Sequence, residues 1–279
     1  MSPEEVIVKG KKIKLRDIDA VPYLFTEAVF AEVFPPEKAP VIFLDFDGTL
    51  SPIVNHPEDA ALAEGMKKIL ERCASRYTIA IISGRDMDDL KSRVNINEII
   101  YAGSHGFRIS GPGGLAMEHK DSEKILPELD RIEKKLNRKF SAGPEGMQIE
   151  RKRYAIAIHY RNAGEGSREE IKTGINEILK DHSGVKTGSG KMIFEIRPNI
   201  DWHKGKALEW IFEKLYPGDN PGLLPVYIGD DVTDEDAFKA IVPEGRGIIV
   251  GSHDQPTAAS FRLKDIEEVK LMLKKLYER

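Results

Sequence analysis

The sequence has almost no cysteine. Cys73 stands alone among 279 residues, so no intramolecular disulfide can form and the chain suits a reducing compartment. An excess of positive charge is missing too. Lys and Arg number 42 against 46 Asp and Glu, a net charge of −4, and this argues against a nucleic-acid partner, which demands a basic face. No apolar run approaches the roughly 18 residues of a membrane-spanning helix. The opening MSPEEVIVKGKKIKL lacks the continuous apolar stretch of a secretory signal. The expectation is a cytoplasmic protein with no membrane partner. The seven histidines show no His-Glu-x-x-His spacing, so zinc hydrolysis has no support. Gly190-Lys191 is followed by Met192, and Val185 stands where the first glycine of a P-loop belongs, which removes a P-loop kinase.

What is present is an ordinary globular balance, 41% hydrophobic and 32% charged. Short apolar runs alternate with amphipathic stretches, the pattern of a parallel sheet built from crossover units. The runs are 41–46 (VIFLDF), 78–83 (TIAIIS), 99–102, 226–229 and 247–250, nearly all apolar, as strands covered by helices on both faces require. Helices are expected over 60–75, 87–94, 204–215, 235–241 and 264–277. The middle of the chain differs. After the turn-rich SGPGG of 110–114, a charged helical pattern over 119–140 leads to alternating strands at 147–151 and 155–160. A helix at 168–182 and a strand pair at 185–188 and 192–196 follow, an α+β arrangement with one solvated sheet face. The reading is an α/β, Rossmann-like core from 1–110 and 198–279 with an α+β cap inserted at 111–197. Residues 1–40 form an N-terminal extension, with a helix expected over 19–34.

The strongest chemical signal is Asp45-Phe46-Asp47-Gly48-Thr49-Leu50 at the carboxyl end of an apolar strand. Residues i and i+2 of an extended chain share a side, so Asp45 and Asp47 should face one point beyond the sheet, where ligands of open α/β sheets bind. Two such carboxylates call for a cation between them, and Mg²⁺, a hard ion that joins carboxylates to phosphate, fits best. The alternative is that the pair merely begins an Asp-Gly turn. Ser83 ends the second strand as a phosphoryl donor, as a helix N-cap, or as both. Lys204 opens a helix against the macrodipole, which points to an anionic partner. In Gly229-Asp230-Asp231-Val232-Thr233-Asp234-Glu235-Asp236, a Thr233–Asp236 capping box and first-turn charges account for Asp234 to Asp236, leaving Asp230 for a cation.

Asp45-x-Asp47-Gly-Thr, Ser83, Lys204 and Gly229-Asp230-Asp231-x-x-Asp234, in that order, resemble the four motifs of the haloacid dehalogenase-like phosphohydrolases. Within them the chain resembles the trehalose-6-phosphate phosphatase family. Asp47 to Ile53, Ser83-Gly84-Arg85, Gly103-Ser104-His105-Gly106, His159-Tyr160-Arg161, Gly190 to Pro198 and Lys204-Gly205-Lys206-Ala207 carry that likeness. Arg108 departs from it, standing where the family has an acidic residue.

The resemblance implies hydrolysis of trehalose 6-phosphate through an aspartyl-phosphate, with Asp45 as nucleophile, Asp47 as general acid and base, and Ser83 and Lys204 binding phosphate. It implies Mg²⁺ on Asp45, the Asp47 carbonyl and Asp230. Thr49, Gly84, Arg85, His105, His159, Arg161, Lys191 and Glu195 become substrate-binding positions, with Lys191 and Glu195 toward the distal glucose. Lys191 and Glu195 share a face by spacing, as do His159 and Arg161, and surface ion pairs are the alternative there. Rival readings are a phosphatase for glucosylglycerol phosphate or sucrose phosphate, a phosphomutase, and a non-catalytic sugar-phosphate sensor. A functional partner in the synthase that makes trehalose 6-phosphate is also implied.

Overall fold

Six strands run parallel in the spatial order Phe261–Leu263, Arg246–Val250, Leu223–Gly229, Ala39–Leu44, Thr78–Ile82 and Ile100–Gly103. This sheet comes from a computed structural model, which describes residues 5–8, 10–164, 166–190, 192–242 and 244–279. The five strands read from the apolar runs are all present. Their two faces are both covered, which explains the unbroken hydrophobicity. On one side Ile42, Leu44, Ile79, Ile81, Val226 and Ile228 pack with Leu70, Leu90, Met272 and Leu273 from the helices Met66–Ala74, Met87–Val94 and Ile266–Tyr277. On the other lie the helices Lys204–Leu215 and Glu235–Ile241, where Tyr227 meets Phe238 edge to face at 5.6 Å.

Four local expectations need correction. The helix expected from residue 60 starts at Met66, because Gly65 precedes it with φ of +75°. The pattern over 119–140 yields a 3-10 turn at Glu123–Ile125 and an α-helix only at Leu126–Lys139, with Pro127 in its first turn, where a missing N–H costs nothing. In the extension, a short 3-10 helix at Ile18–Ala20 is followed by an α-helix only at Glu27–Val33, with Thr26 as its N-cap. The capping box sits earlier than Thr233: Asp231 caps and Asp234 answers it.

The chain does not leave the sheet at SGPGG. Arg108–Ser110 pairs antiparallel with Tyr101–Gly103, and Ala116–Glu118 follows as the sheet's edge strand, so the glycines make a hairpin turn. The compact units therefore divide at 116/117 and 201/202, a few residues beyond the 110/111 and 197/198 read from the turn residues. In Met117–Asp201 an antiparallel sheet runs Val185–Gly190, Ile193–Pro198, Ile156–His159, Gln148–Arg151. The helices Leu126–Lys139 and Ser167–Leu179 bury one face of it, through Leu129, Ile132, Ile171 and Ile175 against Ile156, Ile158 and Ile196. Among the described residues no helix is long and apolar enough to cross a membrane.

Residues 5–40 brace the larger unit. After the hairpin Glu5–Val8 with Lys11–Lys14, Arg16 exchanges backbone hydrogen bonds with Thr257 at 2.9 and 2.8 Å, and Leu24 bonds Arg262 at 3.0 Å. Thr257 and the backbone N–H of Ala258 in turn donate to the buried Glu235 at 2.6 and 2.8 Å, and His253 Nε2 lies 3.4 Å from the same carboxylate.

Burial alone would lower the His253 pKa, but its contact with Glu235 and the charge of Asp231 outweigh this and raise it above 6.5. A folded-state value above the unfolded one gives stability that is complete below the unfolded pKa and fades as pH rises through the folded one. His253→Gln should therefore cost more urea resistance near about pH 5.5 than near about pH 8.5; equal losses would contradict the pairing. A second expectation concerns Gly205, one residue past Lys204. A Cβ there would lie 2.3 Å from the Asp236 carbonyl oxygen of the facing helix. Gly205→Ala gains about 1 kcal/mol of helix propensity, yet the clash, about 1–3 kcal/mol, should win and lower the melting temperature. A rise would show the two helices free to separate.

Candidate active site

The strand Ala39–Leu44 ends one residue before Asp45, whose N–H still bonds the Ile228 carbonyl at 2.9 Å. Asp45 is thereby delivered, buried, to the carboxyl edge of the sheet. Its Oδ1 accepts from Lys204 Nζ at 2.8 Å, and the same ammonium donates to Asp234 Oδ1 at 2.7 Å. The anionic partner that a lysine at a helix start calls for is thus a pair of carboxylates within the chain. Asp234 is fully engaged: Oδ1 also accepts from Tyr227 at 2.6 Å, and Oδ2 from the N–H groups of Asp230 and Asp231 at 2.9 and 3.0 Å.

Oxygens of Asp45, Asp230 and Asp234 all lie within 4.8 Å of one another. Three buried carboxylates thus face a single buried ammonium. Burial raises the Asp45 pKa and Lys204 opposes it, but the charges of Asp234 and Asp230 keep it well above the carboxylate norm. Burial lowers that of Lys204, but Asp234 and Asp45 more than compensate, so the ammonium stays charged. A surplus of buried negative charge, presented by oxygen atoms only, suits a hard divalent cation. With Asp234 saturated, Asp45 and Asp230 are the carboxylates to hold one. Gly48 is required beside them, since a Cβ there would sit 2.0 Å from Asp230 Oδ2 and its φ is +83°. The neighbouring Thr49 is fully buried, and its Oγ1 has no hydrogen-bond partner among the described residues.

Asp47 has partners different from those of Asp45. It lies past the strand, in a turn closed by Gly48 N–H on the Ser51 carbonyl at 2.7 Å, so the alternation rule no longer applies. Its carboxylate is held by both arms of Arg85, Nε to Oδ2 at 2.7 Å and Nη2 to Oδ1 at 2.8 Å. Ser83 is buried, and its Oγ accepts from the Arg85 N–H at 3.1 Å. It thus closes a local turn rather than capping the helix Met87–Val94, whose N-cap is Asp86. His105 approaches Gly84 so closely that a Cβ there would meet its ring at 2.9 Å. Ser104 and His105 both have left-handed backbones, φ of +51° and +57°, tied down by Ser104 N–H to Arg85 O at 2.7 Å and His105 N–H to Ser83 O at 2.8 Å. Strain of this kind, held by surrounding bonds, collects at functional sites. Arg108 lies 3.6 Å from the exposed Asp88.

In the smaller unit, register places Glu150, Ala157 and Glu195 in one row and Gln148, His159 and Ile193 in the next, all on the face turned from the helices. His159 Nε2 is 2.8 Å from Glu150 Oε2. Glu195 is buried between Lys152, which donates at 3.3 Å, and Arg197 at 3.5 Å. Ion pairs thus occupy this face, with Glu195 buried among its partners rather than at the surface. Arg161 lies in a turn two residues past the end of the strand Ile156–His159. Lys191 lies outside the described residues. Sequence reasoning missed Tyr227, Asp89, Glu150, Lys152 and Arg197 as members of these networks. Only Asp89 carried a legible signal, spaced four residues from both Arg85 and Arg93.

A parallel sheet with acidic groups at its strand ends is the fold of the haloacid dehalogenase-like hydrolases. A hydrolase of that name from Bacteroides thetaiotaomicron shares the fold, with a TM-score of 0.59 at 16% identity over 86% of this chain and 100% of that one. The sequence profile of the trehalose-phosphatase family matches residues 43–267, and the chain belongs to that family. Trehalose-phosphate phosphatase of Mycobacterium tuberculosis (strain ATCC 25618 / H37Rv) is 38% identical over 229 residues, 81% of this chain. The chain spans 58% of that relative's length. A crystal structure of a trehalose-6-phosphate phosphatase related protein superposes with a TM-score of 0.73 at 28% identity, over 85% of this chain and 97% of that one.

Removing the ammonium should leave its carboxylates uncompensated. Lys204→Met is expected to lose about 3–5 kcal/mol of stability in urea titrations without divalent cations. A loss under about 1 kcal/mol would mean the carboxylates are already neutral.

Proposed function

We propose that this chain is a magnesium-dependent phosphatase that hydrolyses trehalose 6-phosphate to trehalose and inorganic phosphate. The observation that carries the reading is the buried Asp45 carboxylate, fixed by Lys204 at 2.8 Å beside Asp230 at the edge of the sheet. A carboxylate nucleophile divides ester hydrolysis into two steps through an acyl-phosphate. Asp45 attacks phosphorus, the bond to the sugar oxygen breaks, and Asp47 delivers a proton to that oxygen. Asp47 then takes a proton from the water that cleaves the aspartyl-phosphate. Such acid–base assistance is worth about 10²–10⁴-fold.

Phosphoryl transfer is otherwise a matter of position and charge. Lys204, the Ser83 hydroxyl and the Thr49 hydroxyl would receive phosphate oxygens; the buried Thr49 Oγ1, without a hydrogen-bond partner among the described residues, favours a ligand there. Mg²⁺ would be held by the side chains of Asp45 and Asp230 and the Asp47 carbonyl, and would offset the negative charge of the phosphoryl group. Gly84 lets His105 close on the Ser83 turn, and Arg85 would bring its guanidinium to the same region. For the sugar, His159, Arg161, Lys191 and Glu195 would bind hydroxyls. Charged groups suit them, because a hydroxyl lost from the substrate leaves such a group unpaired. We place the reaction in the cytoplasm, which fits the buried free thiol of Cys73. The synthase that makes the substrate is its functional partner.

A phosphate-release assay over a panel of sugar phosphates checks this directly. Trehalose 6-phosphate should be the best substrate, EDTA should abolish turnover and Mg²⁺ restore it. Asp45→Asn should fall at least about 10³-fold, the scale of losing a nucleophile. More than a tenth of wild-type kcat left in Asp45→Asn, or preference for sucrose phosphate, would reject the covalent route or the substrate respectively.

A further inference from the structure

The Arg85 guanidinium serves two carboxylates and a carbonyl. While Nε and Nη2 grip Asp47, Nη1 donates to Asp89 Oδ2 at 3.0 Å and to the Pro57 carbonyl at 3.1 Å. Its Cζ lies 5.5 Å from the centre of the Phe46 ring. Asp89 is in turn held through Oδ1 by Arg93, Nε at 2.8 Å and Nη2 at 2.7 Å. Arg93 Nη1 ends the series on the carbonyls of Glu58, at 3.0 Å, and Ala60. Alternating charges thus run Asp47, Arg85, Asp89, Arg93, from the turn after the central strand into the helix Met87–Val94. Burial would raise the Asp89 pKa, but the hydrogen bonds from Arg93 and Arg85 outweigh it and keep the group ionised.

A group that moves a proton must lie within about 2.6–3.2 Å of the atom it serves, so the aim of the Asp47 carboxylate matters more than its mere presence. Asp47 is exposed on one side, and its aim is set by the rigid fork of Arg85. The fork is itself aimed only if its third nitrogen is tied down, and Asp89 supplies the charged tie. We propose that Asp89 is a positioning residue for the leaving-group step, acting through Arg85 to fix the Asp47 carboxylate. This rests on the phosphatase reading of Asp45 and Asp47.

The test compares Asp89→Asn with the wild-type full chain on two esters, with Mg²⁺ present. A sugar phosphate leaves as an alkoxide and needs the Asp47 proton; p-nitrophenyl phosphate leaves as a stable phenolate and does not. In single-turnover measurements of phosphoryl transfer to Asp45, which precede the water step that Asp47 serves for both esters, the rate with trehalose 6-phosphate should drop about tenfold and with p-nitrophenyl phosphate by less than about twofold. A residue that only stabilises its helix would lower both rates alike, so equal losses, or no loss on the sugar phosphate, overturn the proposal. The Arg85 Nε–H signal in ¹⁵N NMR tests the contact without turnover. It should exchange faster with water in Asp89→Asn, and an unchanged signal overturns the proposal. Should the wild type hydrolyse neither ester, the phosphatase reading falls, and the NMR comparison still decides whether Asp89 holds Arg85. Asp89→Ser serves in both arms if the Asn variant does not fold.

Discussion

One ammonium group organises the larger unit's chemistry. Lys204 Nζ sits between Asp45 and Asp234, and all three groups are buried. In so dry a place an unpaired charge would be prohibitive, so each group depends on the others being present and well aimed. The geometry is set far from the ammonium itself. Gly205 lets the helix carrying Lys204 press against the helix that follows Asp234, and Tyr227 with two backbone N–H groups fixes the carboxylate between them.

This arrangement separates two carboxylates that look equivalent in the motif. Asp45 is buried and faces a lysine; Asp47 is half-exposed and faces an arginine. An ammonium is a compact point charge, able to leave one lone pair of Asp45 for another partner, whereas a guanidinium fork engages both oxygens and sets direction. The proposed division of labour follows: one carboxylate for bond making, the other for proton transfer.

Much of this was legible beforehand. The five central strands could be read because burial on both faces leaves an unbroken apolar run, and 204–215 and 235–241 because helical periodicity is strong there. The family likeness also came from short motifs at strand ends, and the profile match over residues 43–267 agrees with it. What escaped was whatever depends on pairing between distant segments. The turn-rich 110–114 reads as the link out of the core, because nothing in it reveals that Arg108–Ser110 and Ala116–Glu118 are strands of the same sheet. The Arg85 grip on Asp47 was equally hidden, because the apolar run 41–46 reads as strand whereas the strand ends at Leu44 and a turn follows. Asp234 was read only as a first-turn charge, yet it is also the second anchor of Lys204, a contact 30 residues long in sequence.

The most direct test of the account is a crystal structure grown with Mg²⁺ and beryllofluoride. The account predicts a beryllofluoride adduct on an Asp45 oxygen and a cation shared by Asp45 and Asp230, with Asp234 still bonded to Lys204. A cation held by Asp234 with Lys204 displaced, or an Asp45 without adduct, would contradict it.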